Sequence, residues 1–309
     1  MSKQILGLHH VTAISNSAKQ NHHFYTDVLG LRMVKKTVNF DDPGTYHFYF
    51  GDEQGTPGTI ITFFPWEGIG KGRNGAGMAT HTGYSVPKGS FSFWKERLEK
   101  QGISTTENEI FGEKVLSFND PDGMQLQLII PNKEDSRSPW TTNDISSEVA
   151  IRGFHNVTLT LRSADATSKV LTDILGYSVV KQEGNRYRFE TDTIGTANII
   201  DIIESPNAPY GNNAAGTNHH IAFRVKDDNI LMQIREKVVE AGLSITPKID
   251  RDYFFSLYFR EPGGVLFEIA TDNPGFTVDE SLEELGSKLK LPTQYEKMRE
   301  QIESVLPEL

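Results

Sequence analysis

The stretch "LHHVTAISNSAKQNHHFYTDVLGLRMVKK" (residues 8–36) returns as "FHNVTLTLRSADATSKVLTDILGYSVVKQ" at 154–182. The offset is 146 without a gap, and 11 of 29 positions are identical. A repeat of this length sets the architecture. Two more blocks pair in the same way. "THTGYSV" (80–86) aligns with "HHIAFRV" (219–225), placing His81 on His220. "FNDPDGMQLQLI" (118–129) aligns with "FREPGGVLFEIA" (259–270), placing Gln127 on Glu268. Between them, "FWKERLEKQGI" and "IREKVVEAGL" read as helices closed by glycine.

The chain therefore divides into four units, about 6–66, 78–131, 152–206 and 217–271. Each opens on a strand, passes through an amphipathic helix and returns through further β-branched and aromatic runs such as "TIITFF", punctuated by turns such as "DPDG". We expect an α+β protein: 1–131 as one tandem pair of modules, 132–151 as a polar linker, 152–272 as a second pair, and 273–309 as a helical tail packed outside. The Gly-rich 68–77 lacks the Lys-Ser/Thr of a phosphate loop and reads as a flexible connection or lid. Trp66, Trp94 and Trp140 read as core or interface residues.

Composition narrows the chemistry. The 309 residues carry 31 basic and 41 acidic side chains, a formal charge of -10. Such a balance argues against nucleic acid, whose phosphates need Lys and Arg. There is no cysteine, so disulfides, thiolate metal sites and thiol nucleophiles are excluded. No apolar run of about 18 residues suggests a span, and the start lacks a signal-like apolar region, so no membrane and a cytoplasmic location are expected.

Side chains alternate faces along a strand. His10, His220 and Glu268 fall on the less apolar face of their strands, the face expected to line a cup. Two imidazoles and a carboxylate make the set that leaves open positions on Fe(II) or Mn(II). The corresponding positions read His10 and Asn156, His81 and Gln127, His220 and Glu268. Neither half of the chain alone supplies two histidines and a carboxylate. Pairing unit one with unit four does, and leaves Asn156, His81 and Gln127 as a second set without charge. This cross-pairing requires His10 and Glu268 to meet.

The arrangement resembles the vicinal oxygen chelate superfamily of glyoxalase I, bleomycin-resistance proteins and extradiol dioxygenases, built from βαβββ modules whose curled mixed sheets form half-barrels with helices outside. The blocks "LHHVT", "YHFYFGDEQGTPGTIITFFP", "GNRYRF", "NHHIAF" and "YFREPGGVLFE" further resemble hydroquinone ring-cleaving dioxygenases, 2,6-dichlorohydroquinone dioxygenase among them. That resemblance implies Fe(II) on His10, His220 and Glu268, an aromatic diol and O2 as substrates, and a role in aromatic catabolism or detoxification. It places His9, His219, Arg251 and Tyr258 around the metal. Tyr258 and Arg251 suit stabilisation of developing negative charge and a histidine suits the base, yet alternation turns His9 and His219 away from the cup. A metal-dependent lyase or isomerase of glyoxalase type and a non-catalytic binder of aromatic ligands are the competing readings. A homo-oligomer is compatible with any of them.

Overall fold

A computed structural model describes residues 4–309. The first module supplies β1 (Leu8–Ser15), β2 (Arg32–Val38), β3 (Tyr46–Gly51) and β4 (Ile60–Pro65). The second supplies β5 (Met78–Ser85), β6 (Thr106–Ile110), β7 (Glu113–Asn119) and β8 (Gln125–Ile130). The third supplies β9 (Gly153–Leu161), β10 (Ser178–Glu183), β11 (Arg186–Glu190) and β12 (Ile199–Glu204). The fourth supplies β13 (Thr217–Val225), β14 (Ile249–Asp250), β15 (Phe254–Arg260) and β16 (Leu266–Pro274).

These strands make two eight-stranded sheets that ignore chain order. One runs β14-β15-β16-β13-β1-β4-β3-β2, joining module four to module one; the other runs β10-β11-β12-β9-β5-β8-β7-β6, joining three to two. The seam of the first sheet is the antiparallel β1/β13 pair, with Thr12 opposite His220. Parallel pairing then carries β13 to β16, setting Ala222 opposite Glu268, and β1 to β4.

The helices repeat as the sequence does. α1 (Ala18–His23) and α3 (Asp165–Lys169) each run into a π-helical turn, Phe24–Val28 and Val170–Ile174. These turns carry the shared "TD.LG" and close with Leu29 N–H on Phe24 C=O and Leu175 N–H on Val170 C=O. α2 (Phe91–Lys100) and α4 (Asp228–Glu240) both stop just before a glycine at positive φ, Gly102 and Gly242, as glycine at C′ allows. Asp227 caps α4 by accepting from the Asn229 and Ile230 amides.

The outward strand residues Val11, Ala13, Phe63, Ile221, Phe223 and Phe267 bury against the helices in one core. Among the described residues, no helix is long and apolar enough to cross a membrane. The glycine-rich 68–77 is not a lid. Its backbone bridges residues 210–215 through Lys71 with Ala215, Arg73 with Asn212 and Ala76 with Tyr210.

The tail also differs from expectation. Only α5 (Arg299–Val305) is α-helical, preceded by 3-10 turns at Phe276–Val278 and Thr293–Met298. Phe276 and Leu285 do not stay outside but pack with Val34, Tyr49, Ile60 and Ala270 on the inner face of the first sheet. Gly286, at positive φ, explains part of this: a Cβ there would sit 2.1 Å from Met33 O, so the close approach of the tail to β2 needs a glycine.

Candidate metal centre

His10 on β1, His220 on β13 and Glu268 on β16 meet inside the first half-barrel. Their nearest ligand atoms all lie within 4.8 Å of one another. His10 Nε2 is 3.1 Å and His220 Nε2 2.8 Å from Glu268 Oε2. The meeting that cross-pairing required is therefore present. Both carboxylate oxygens are buried without a hydrogen bond. A buried, unbonded carboxylate is costly by itself. Facing two ring nitrogens, it fits a site completed by a divalent cation. Burial alone would push its pKa up, but His10 and His220 outweigh this and hold it far below the usual carboxylate range.

The doublets explain themselves through the neighbouring rings. His9 Nε2 lies 3.1 Å from the Thr271 carbonyl, which only accepts, so this nitrogen carries the proton. Burial, and then His10, push its pKa well below 6.5, so the ring is neutral and its Nδ1 is bare. That Nδ1 is 2.9 Å from His10 Nδ1 and accepts its proton, which turns His10 Nε2 toward Glu268. The second doublet repeats the device, with His219 Nδ1 2.8 Å from His220 Nδ1. Burial, then His220, push His219 down to about 3, so near neutral pH its ring is neutral. Partners of this kind fix the tautomer and orientation of metal-ligating imidazoles. His9→Ala or His219→Ala is expected to weaken metal binding roughly 10–100-fold while keeping the three ligands, as an anaerobic metal titration would measure.

The cup opens as a cavity of about 410 Å³. Tyr258 stands opposite Glu268 across the β15/β16 pair, its ring 5.6 Å from that of His220. Arg251 lines the cavity, its guanidinium 5.4 Å from the Tyr258 ring and 5.3 Å from the Phe40 ring. Trp66 belongs to the cavity wall, not the core, and its Nε1–H donates to Asp42 at 3.0 Å. Sequence reasoning passed over His47, Tyr49 and Thr62, whose hydrogen bonds cross the cavity wall. Alternation in "YHFYFG" does put His47 and Tyr49 on one face, opposite Phe48 and Phe50.

Among the described residues, the second sheet holds no comparable cluster. Asn156 donates to Asp201 at 2.7 Å, Gln127 to Ser117 at 3.3 Å, and His81 Nδ1 lies 3.0 Å from Thr80 Oγ1. Arg188, the register counterpart of Tyr49, bonds Asp201 and Glu113, and Glu113 also meets His155 at 2.9 Å. A guanidinium thus neutralises the carboxylates there. Despite burial, His155 and Arg188 hold the Glu113 carboxyl at about 2. Its folded pKa is depressed, so its contribution to stability is complete above its ordinary value near 4.5 and is lost as pH falls toward 2. Glu113→Gln should flatten the acid limb of stability between these values in urea titrations across pH.

A profile for the Glyoxalase/Bleomycin resistance protein/Dioxygenase superfamily matches residues 7–128 and 153–269. A Bacillus subtilis protein named "Putative ring-cleaving dioxygenase MhqO" is 48% identical over 308 residues, covering 99% of this chain and 97% of its own. "Chlorohydroquinone/hydroquinone 1,2-dioxygenase" of Sphingobium indicum is 35% identical over 309 residues, covering 98% and 96%. A crystal structure titled as a "putative dioxygenase" of Bacillus subtilis superposes with a TM-score of 0.96 at 46% identity, covering 100% and 98%. Maize glyoxalase I shares the fold, with a TM-score of 0.62 at 14% identity over 86% of this chain and 92% of its own.

Proposed function

The chain belongs to the Glyoxalase/Bleomycin resistance protein/Dioxygenase superfamily and to its ring-cleaving dioxygenases, and from that premise we propose that it opens a hydroquinone- or catechol-like ring with O2, in the extradiol manner. His10, His220 and Glu268 hold Fe(II), with Mn(II) as the alternative ion. The observation that carries this reading is the convergence of two imidazole nitrogens and a buried carboxylate beside a cavity that His10 and His220 line. Three protein donors leave coordination positions open for substrate and O2. A glyoxalase-type lyase with a fuller donor set, and a binder that needs no triad, fit this less well.

Iron held there supplies a path for electron density from an ionised ring oxygen to O2. The protein does the rest. Phe254, Phe64 and Trp66 enclose the ring and limit water. Arg251, held between Phe40 and Tyr258, places positive charge where ring and oxygen charge develops. Burial, and next Glu268, push the Tyr258 pKa well up, so its hydroxyl remains a proton donor to that charge. The test is anaerobic loading with Fe(II), then oxygen uptake with hydroquinone, methylhydroquinone and catechol, with 18O2 to follow both atoms into product. No uptake with any of the three rejects the proposal.

A further inference from the structure

One wall of the cavity carries a continuous run of hydrogen bonds that the metal site does not use. Tyr49 hydroxyl and His47 Nδ1 are 3.0 Å apart, His47 Nε2 and Thr62 Oγ1 2.9 Å, and Thr62 Oγ1 and Thr12 Oγ1 2.9 Å. Thr12, His47 and Tyr49 all line the cavity, along with His10 and His220.

The direction of the run follows from donor strength. His47 is buried and both its ring nitrogens meet hydroxyls, with no carboxylate among these partners, so the ring is neutral, with one N–H and one bare nitrogen. Burial, then Tyr258, push the Tyr49 pKa well up, so it stays a phenol. A phenol, with an ordinary pKa of about 10, is a stronger donor to an imidazole lone pair than an aliphatic hydroxyl. Tyr49 O–H therefore donates to His47 Nδ1, His47 Nε2–H to Thr62, and Thr62 O–H to Thr12. The Tyr49 proton is thereby held away from the cavity, and its oxygen presents lone pairs only.

We propose that Tyr49, locked by His47, binds substrate by accepting a hydrogen bond from the ring hydroxyl that lies away from the metal ligands. Tyr49 thus selects rings whose second hydroxyl is remote from the first. In a catechol both hydroxyls face the metal and none is left for Tyr49. A methoxy group at the remote position offers no proton. His47 is a positioning residue, acting only through the direction of the Tyr49 proton. The inference rests on the cavity being the site of a ring diol.

The test is anaerobic calorimetry on the Fe(II)-loaded enzyme with hydroquinone, 4-methoxyphenol and catechol. Wild type should bind hydroquinone roughly fivefold or more tighter than 4-methoxyphenol, the scale of one net hydrogen bond. Tyr49→Phe should abolish that preference and leave catechol within about twofold, the limit set by losing no hydrogen bond. The ring that packs 5.2 Å from Phe276 is kept, so the fold should persist. His47→Leu should narrow the same preference without moving catechol, a pattern that a merely structural role would not give. An equal loss for all three ligands, or no preference in wild type, overturns the role of Tyr49 while diol binding stands. No binding of either diol by wild type overturns the parent reading and this inference together.

Discussion

Glu268→Gln is expected to abolish stable metal binding while leaving the fold intact. The substitution keeps size and shape but removes the only anionic member of the cluster. The loss should exceed the roughly 100-fold that removal of an outer partner costs, since a donor itself is changed. A counterpart exists within the chain. Gln127 occupies the matching place on β8, bonded to Ser117, and no metal-type cluster forms around it among the described residues. Two readouts check this without any turnover. Iron should co-elute with wild type on anaerobic gel filtration and not with the variant. At free metal about 100 times its Kd, wild type should gain roughly 2.7 kcal/mol of stability and the variant essentially none. A variant that keeps both its iron and its metal-dependent thermal shift would remove Glu268 from the proposed donor set.

The three clustered residues were legible in the sequence because two simple periodicities act on them. The repeat aligned His81 with His220 and Gln127 with Glu268, and strand alternation chose His10 over His9. The need for one complete donor set then forced module one onto module four, and the strand order agrees. The same alternation hid His9 and His219. Neighbours on a strand point to opposite faces, yet here each pair of rings meets edge to face at Nδ1, and each lies at a shift in the β1/β13 register, between Leu8 and His10 for the first and opposite Thr12 and Ala13 for the second. A bulge of this kind re-aims side chains in a way that period-two reasoning cannot anticipate. Tyr49 and His47 were hidden for another reason. Their contact with the site depends on sheet curvature carrying β3 across from β13, a non-local property. The tail misled because "DESLEELGSKLK" has helical composition, while Gly286 against Met33 and the pairing of Asp279 and Glu280 with the buried Lys35 decide its path.

Lys35→Met should cost about 3–5 kcal/mol of unfolding free energy, the range for breaking a buried pair from one side. "VKK" on an edge strand suggests two solvated lysines, but Lys35 is 0% exposed. Its ammonium donates to Asp279 at 2.5 Å, to Glu280 and to the Phe276 carbonyl at 3.2 Å, and lies 4.6 Å from the Tyr253 ring. The tail thus brings its own carboxylates to a cation inside the first half-barrel, and Tyr253 reinforces them by donating to Asp279 at 3.0 Å. Removing the ammonium leaves the Glu280 carboxylate buried without its counter-charge, which is the source of the cost. The converse follows. Lys35→Met combined with Glu280→Leu removes the two fully buried charges and leaves only the partly exposed Asp279, and such apolar replacements are often neutral or stabilising, so the double variant should recover more than half of the loss. Urea denaturation of the two single variants and the double variant measures the coupling directly. Additive losses, or a loss below about 1 kcal/mol for Lys35→Met, would show that the tail is held by Phe276 and Leu285 alone. Coupling would mean that the ion pair fastens the tail beneath Tyr49 and Tyr253, so loosening it should also weaken hydroquinone binding while leaving metal affinity unchanged.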